Sequence, residues 1–109
     1  MKNQILCIFS TTPTKELAEL ISQTLVFERL AACVQVGSPV KSTYIWEGKP
    51  YCETEYPLLI KASEAMLEKL RGRYMEIHSY DCPEWVVVRA ETSAEYAKFV
   101  EGADGVVPL

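Results

Sequence analysis

Histidine and closely spaced cysteines are scarce in this chain of 109 residues. His78 is the only histidine, and the four cysteines stand far apart, at positions 7, 33, 52 and 82, with no Cys-x-x-Cys pair. One histidine and scattered cysteines form no pattern of metal ligands by spacing alone. A domain of this size builds its own hydrophobic core without disulfides, so we expect four free thiols.

Positive charge and long apolar runs are also limited. Eleven Lys and Arg stand against fifteen Asp and Glu, for a net charge of −4, and no basic stripe is visible. This balance gives no support for binding to nucleic acid or to an acidic membrane surface. The N-terminal apolar run, residues 5–9, is shorter than the roughly seven to fifteen residues of a signal-peptide core, and no run approaches the roughly 18 of a membrane span. We therefore expect a cytoplasmic protein with no membrane or nucleic-acid partner.

Three enzymatic functions find little support in the sequence. Five glycines are scattered along the chain, so no glycine-rich phosphate loop exists. Small acyl-phosphate hydrolases of comparable size need an arginine in the loop after the first strand, and residues 10–13 read Ser-Thr-Thr-Pro. A nucleophile pair of Cys82 and His78 has no recognisable third group or oxyanion hole. The prediction is a protein without catalytic activity or organic cofactor.

Apolar periodicity predicts the strands. Residues 5–9 form a buried run, and residues 33–36 and 40–46 make one arm of a long hairpin with a break at residues 37–39. The turn at residues 47–50 leads into a second arm at residues 51–61. Pro57 cannot donate to a ladder, so it should lie at an edge, a bulge or a strand start. A β-branched strand follows at residues 84–89.

Helical spacing predicts three helices. The first runs over about residues 13–30, with Thr12 as N-cap and Pro13 at its first position. Ser63 caps the second, and Thr92 with Glu95 has capping-box spacing for a short third helix. Residues 102–109 read as a tail.

The resulting order is β-α-β-β-α-β with a long β2–β3 hairpin and a short C-terminal helix. It is typical of a single α+β domain, residues 1–109, of the ferredoxin-like type. Two helices would cover one face of an antiparallel sheet. The other face carries aromatic and aliphatic side chains, and two strand edges stay open, so the sequence favours self-association.

Candidate binding residues lie in two places. His78 precedes a loop with Tyr80, Cys82 and Glu84, a set that could bind copper or zinc; alternatively, His78 satisfies carbonyl groups near the helix end. Glu55 and Lys61 share one face of the second hairpin arm. They form either a solvated strand face or part of a charged cleft.

Several segments resemble the CutA family of divalent-cation tolerance proteins. The resemblance rests on the following segments: Glu28-Arg29-Leu30-Ala31-Ala32-Cys33-Val34, Tyr44-Ile45-Trp46-Glu47-Gly48-Lys49, Glu55, Leu59-Ile60-Lys61 and Tyr80-Asp81-Cys82-Pro83-Glu84. It implies a tight homotrimer built like the P-II signalling proteins, and a link to copper or another divalent cation without established catalysis.

The resemblance also implies where ligands would bind. Where some family members carry a cysteine after the first strand, this chain has Ser10, and an adjacent histidine pair is here Ile77-His78, which leaves His78 as the candidate metal ligand. The inter-subunit cleft would be lined by the following residues: Trp46, Glu55, Lys61, Tyr80 and Glu84. Our hypothesis is that Lys61 binds a small anionic or metal-chelated ligand there. Three functions remain open: metal binding through His78, a P-II-like small-molecule sensor through Lys61, and an assembly scaffold with no ligand.

Overall fold

Five strands and three α-helices make up residues 3–103, the part of the chain that the computed structural model describes. The strands are β1 (Gln4–Thr12), β2 (Cys33–Val36), β3 (Val40–Trp46), β4 (Lys49–Ala62) and β5 (Val86–Glu91). The helices are α1 (Lys15–Phe27), α2 (Leu67–Ile77), which follows a 3₁₀ turn at Glu64–Met66, and α3 (Ala94–Gly102). This order confirms the predicted α+β, ferredoxin-like fold. None of the helices within residues 3–103 is both long and apolar enough to cross a membrane.

All strand pairs are antiparallel, and β4 is the strand on which the sheet is organised. Its second half lies between β1 and β2, its first half pairs with β3, and β5 completes the order β2-β4-β1-β5. With 14 residues, β4 is longer than the core sheet needs, so the β3–β4 hairpin extends beyond it.

The predicted break at residues 37–39 divides the first hairpin arm into β2 and β3. Gly37 N–H donates to the carbonyl oxygen of Pro57 at 2.9 Å, opposite the point where the ladder with β2 stops. A Cβ atom on Gly37 would lie 2.9 Å from Cγ of Pro57, so glycine permits this close approach. Pro57 thus lies between the residues of β4 that pair with β2 and those that pair with β3, where no N–H donor is required.

The core lies on one face of the sheet. Alternate residues of β1 and β4, including Ile8 and Ile60, are fully buried against α1 and α2, where Tyr74 is the largest buried side chain. The other face is only partly covered. Tyr96 of α3 lies near Lys61 on this face, whereas Phe9, Val86 and Val88 are 43%, 49% and 44% exposed.

Two of the predicted helix N-caps, those of α1 and α3, are wrong. Thr12 ends β1 and donates to Thr14 O, so Thr14 is the N-cap of α1, accepting from Leu17 N at 3.1 Å. Ser93, rather than Thr92, caps α3. The first helix is shorter than predicted because it ends before Arg29, whose φ of 64° is left-handed. At α1, the end of β1 and the turn at Arg29 take residues that local sequence assigned to the helix.

Further boundaries also shift. Ser63 precedes the 3₁₀ turn but makes no side-chain capping bond there. The last strand begins two residues later than predicted, at Val86. The predicted tail begins one residue too early, since Gly102 still belongs to α3, and residues 104–109 lie outside the described part.

The hairpin turn generates a stability prediction. Glu47 and Gly48 have φ values of 50° and 78°, the pair of positive angles that a two-residue type I′ turn requires. Asparagine adopts this conformation more readily than glutamate, so Glu47→Asn should raise the free energy of unfolding by about 0.5–1 kcal/mol. Gly48→Ala should lower it by about 1 kcal/mol. Chemical denaturation at equal protein concentration measures both, and a less stable Glu47→Asn variant would contradict the assignment of the turn.

Candidate functional site

A cavity of about 560 Å³ lies between the β3–β4 hairpin, the end of β1 and the loop after α2. Ser42, Tyr44 and Trp46 alternate along β3 and therefore share one face. Glu55 of β4 is on the same face, since its partner in the register is Val40. The loop closes the other side with residues 79–84, and Thr11 reaches in from β1. We call this the carboxylate cleft, because Glu55, Asp81 and Glu84 line it.

Glu55 is the buried acceptor of the cleft. Its side chain is 8% exposed, and Oε2 accepts hydrogen bonds from the Tyr80 hydroxyl at 2.8 Å and from Thr11 Oγ1 at 3.1 Å. No group within residues 3–103 donates to the second oxygen, Oε1, and this atom is not sealed from solvent. Oε1 is therefore a carboxylate oxygen left available to the cleft.

Tyr80 forms the wall above Glu55. Burial raises the pKa of its phenol well above the usual range, and the hydrogen bond to Glu55 raises that pKa further. The hydroxyl therefore stays protonated at neutral pH and can donate to Glu55. The ring also packs against His78, with 4.8 Å between centroids, so the side chain is held at both ends.

His78 uses both ring nitrogens to hold this loop. Nδ1 accepts from the backbone N–H of Tyr80 at 3.0 Å, and Nε2 donates to the carbonyl oxygen of Thr11 at 2.8 Å. An N–H only donates and a carbonyl only accepts, so the ring is the neutral tautomer with its hydrogen on Nε2. The predicted ligand role of His78 would require one of these bonds to break. The alternative prediction had His78 bonded to carbonyl groups near the end of its own helix, whereas the ring donates to a carbonyl group of β1.

Lys61 lies away from the other predicted cleft residues. It is six residues from Glu55 along β4, which corresponds to about 20 Å of strand, and its Nζ is 5.6 Å from the centre of the Tyr96 ring. Among the described residues that line the cleft there is no lysine or arginine. The structure thus brings together Trp46, Glu55, Tyr80 and Glu84 but not Lys61, and the cleft is acidic. Its charge favours a cation over the anionic ligand of our hypothesis.

Sequence reasoning did not assign several residues of the cleft, among them Thr11, Ser42, Tyr44 and Asp81. Ser42 and Tyr44 could have been found from Trp46 by the two-residue alternation of a strand, and Asp81 from its position beside Tyr80. Thr11 had no such signal. Its hydroxyl meets Glu55 only through the register between β1 and β4, which pairs Thr11 with Pro57.

Comparison with known proteins decides the family. The CutA1 divalent ion tolerance protein family matches residues 6–103. This chain belongs to the CutA1 family. It is 35% identical over 99 residues to the divalent-cation tolerance protein CutA of Thermus thermophilus, covering 90% of this chain and 96% of that protein. The solved structure of the Thermus thermophilus protein, 34% identical, covers 93% of this chain and 99% of that one with a TM-score of 0.88.

Other CutA relatives differ in length and in their stated location. The rice protein CutA 1, described as chloroplastic, is 35% identical over 81 residues, which are 74% of this chain but only 46% of the rice protein. The chain therefore spans less than half of the plant relatives that it matches. The Archaeoglobus fulgidus CutA structure, described as periplasmic, is 30% identical with a TM-score of 0.85, covering 91% of this chain and 97% of that one.

Residues 3–103 of this CutA1 chain form no closed metal site within one subunit. In the part described, no three His, Cys, Asp or Glu side chains gather closely enough to hold a metal. Ser10, the position for which the resemblance implied a cysteine in some family members, is buried and hydrogen-bonded to the Tyr74 hydroxyl. Copper favours imidazole and thiolate ligands, and of these the described lining of the cleft offers only the Cys82 thiol. The three carboxylates of the cleft suit hard divalent cations.

Glu84 generates a prediction on the pH dependence of stability. Glu84 as a residue is exposed, but partial desolvation of its carboxyl group in the cleft raises the pKa of that group, and the charge of Glu55 adds to the shift. A carboxyl group whose pKa is raised by folding lowers the free energy of unfolding when it ionises. This loss of stability is absent below the ordinary pKa and grows as the pH rises from there through the raised pKa. Glu84→Gln should therefore raise the melting temperature at pH 7, and the gain should disappear near pH 4.

Thermal unfolding at both pH values, with protein concentration held constant, measures this effect. Glu47→Gln, at the hairpin tip, is the matched control and should change the melting temperature little at either pH. A Glu84→Gln variant that melts below the parent protein at pH 7 would show that the ionised carboxylate makes a stabilising contact.

Proposed function

We propose that this CutA1 chain acts in divalent-cation tolerance as a non-enzymatic, cytoplasmic homotrimer that binds a divalent cation in the carboxylate cleft. The observation that supports this proposal is the available Oε1 of Glu55, in a cleft whose described lining residues include three carboxylates and no lysine or arginine. The names of relatives such as the Thermus thermophilus protein refer to the same class of ion.

The cleft carboxylates suit a hard divalent cation better than copper. Glu55 would bind the ion through Oε1, since Mg²⁺ and similar cations prefer carboxylate oxygens and retain several water ligands. Asp81 and Glu84 do not gather with Glu55 closely enough to coordinate the same ion, but their negative charges would attract the hydrated cation. Water, or a group from a neighbouring subunit, completes the coordination that one chain leaves open. Binding would also relieve the repulsion between Glu55 and Glu84 that contributes to the raised pKa of Glu84.

The state of His78 supports a role without catalysis. A histidine that activates Cys82 would need a free acceptor nitrogen, and both nitrogens of His78 are hydrogen-bonded to backbone groups. The same two bonds give His78 a sufficient structural role, which is to position the wall of the cleft.

The homotrimer is supported by the sheet face that α1 and α2 leave uncovered. Phe9, Val86 and Val88 form an apolar strip there, each more than two-fifths exposed. On the projecting hairpin Ile45 is 74% exposed. Apolar surface of this kind marks an interface in soluble proteins. The number of three subunits comes from the resemblance to the CutA family.

A small-molecule sensor is the second candidate function. Three aromatic side chains, Tyr44, Trp46 and Tyr80, line the cleft beside the carboxylates. A bare or hydrated metal ion makes no use of aromatic walls, whereas an organic ligand does. A pure assembly scaffold, the third candidate, predicts that no ligand affects the protein.

The trimer can be tested at Val88. A charge at this position would face the proposed interface, so Val88→Lys should convert a trimer of about 37 kDa, three times the chain mass of 12.3 kDa, into smaller species. Leu20→Lys is the matched control, since Leu20 is 54% exposed on α1. Light scattering coupled to size-exclusion chromatography measures both. A monomeric parent protein, or a Val88→Lys trimer of unchanged melting temperature, would refute this interface.

Cation binding can be tested at Glu55. Titration calorimetry with Mn²⁺ should show binding to the parent trimer, and Glu55→Gln should weaken it at least about tenfold because a charged ligand is removed. Affinity should also fall as the pH is lowered and Glu84 takes up a proton. Glu19→Gln, on the outside of α1, should bind as the parent does.

Titration with Cu²⁺ distinguishes a metal site at Glu55 from the site at His78 that the sequence predicted. Copper uptake that is lost in His78→Gln but kept in Glu55→Gln would assign metal binding to His78. Absence of both Mn²⁺ and Cu²⁺ binding would remove the metal proposal and leave the sensor and the scaffold.

A further inference from the structure

The carboxylate cleft combines two features that a metal ion alone does not require. It has a volume of about 560 Å³, and it has aromatic as well as acidic walls. An ordered water takes about 30 Å³, so a hydrated divalent cation would fill less than half of the space. The remainder is lined by rings, which do not coordinate divalent metals but do bind organic cations through their faces.

The aromatic walls are held in place before any ligand arrives. Tyr44 stacks on Tyr51 with 5.4 Å between ring centroids and an interplanar angle of 19°, and its hydroxyl donates to Glu53. Tyr80 is held by Glu55 on one side and by the ring of His78 on the other. Walls that are already ordered reduce the entropic cost of ligand binding.

Glu55 specifies the polar group of the ligand. Its side chain is more than nine-tenths buried, its Oε2 already accepts two hydrogen bonds, and its Oε1 accepts none from residues 3–103. Oε1 is open to the cleft, and a carboxylate oxygen with no donor from the protein is complemented best by an N–H group that also carries positive charge. Asp81 and Glu84 provide further acceptors for a second such group.

We propose that the carboxylate cleft binds a small aliphatic amine, with one ammonium group donating to Oε1 of Glu55 and its alkyl chain lying against Tyr44, Trp46 and Tyr80. The volume and the three carboxylates favour a ligand with two or more ammonium groups over a monoamine. This inference deepens the sensor function and rests on the proposal that the cleft is the functional site of the CutA1 trimer.

The probe that tests the inference is butane-1,4-diamine, with butane-1,4-diol as its uncharged analogue. Calorimetry on the parent protein should show binding of the diamine and none of the diol. Tryptophan emission, to which Trp46 in the cleft wall and Trp85 both contribute, supports this measurement. Glu55→Gln keeps the shape of the side chain and removes its charge, so it should weaken diamine binding at least about tenfold. Glu19→Gln should leave the affinity unchanged.

Asp81→Asn provides a second variant if Glu55→Gln does not form the native oligomer. Asp81 is exposed, so the substitution should not disturb folding, and a loss of about threefold in diamine affinity is expected from removal of one partly screened charge. Undiminished binding to both variants would place the amine elsewhere and overturn the inference, as would equal affinity for the diol.

The same protein samples, titrated with Mn²⁺, separate this inference from the function on which it rests. Mn²⁺ binding that depends on Glu55, without diamine binding, would overturn the amine ligand and support the divalent-cation site. Diamine binding that depends on Glu55, without Mn²⁺ binding, would support the amine ligand and overturn the divalent-cation proposal. Absence of both would overturn the ligand-binding role of the cleft.

Discussion

The pairing of β4 with three other strands is the constraint on which the structure depends. One half of this strand joins β1 and β2 over the hydrophobic core, and the other half carries β3 out beyond it. The same two-residue alternation that buries Leu58 and Ile60 beneath the helices places Glu55 on the opposite face. The core and the cleft are thus built from alternate residues of one strand, and Pro57 with Gly37 marks where the pairing changes.

A short series of hydrogen bonds connects the loop after α2 to this sheet. His78 links the carbonyl of Thr11 to the backbone of Tyr80, and Tyr80 in turn donates to Glu55. Tyr74, buried in the core, donates to the backbone oxygen of Glu84 and so holds the far end of the loop. Because these groups are satisfied within the protein, the cleft is ordered without a ligand. Burial of Glu55 and the presence of Asp81 and Glu84 nearby then make positive charge the favoured complement.

Local sequence predicted the elements better than their ends. The strands alternate or bury their side chains as their apolar patterns indicate, and Glu47-Gly48 makes the expected turn. The predicted N-caps of α1 and α3 were wrong because neighbouring Thr and Ser residues have equal capping chemistry. The end of β1 takes Thr12, which leaves Thr14 to α1. Such competition between adjacent elements is decided by the length of the strand and its register, which local spacing does not contain.

The sequence by itself determined the family, the α+β order of elements, and the placement of Trp46 and Glu55 in a hairpin with aromatic and acidic residues. These follow from periodicity and from short segments, which are properties of neighbouring residues. Only the tertiary structure decided that Thr11 and Tyr80 meet one oxygen of Glu55, that both nitrogens of His78 are occupied, and that Lys61 lies far along β4 beside Tyr96. Those contacts join residues distant in the chain, so their distances and free hydrogen-bonding atoms depend on strand register and loop closure.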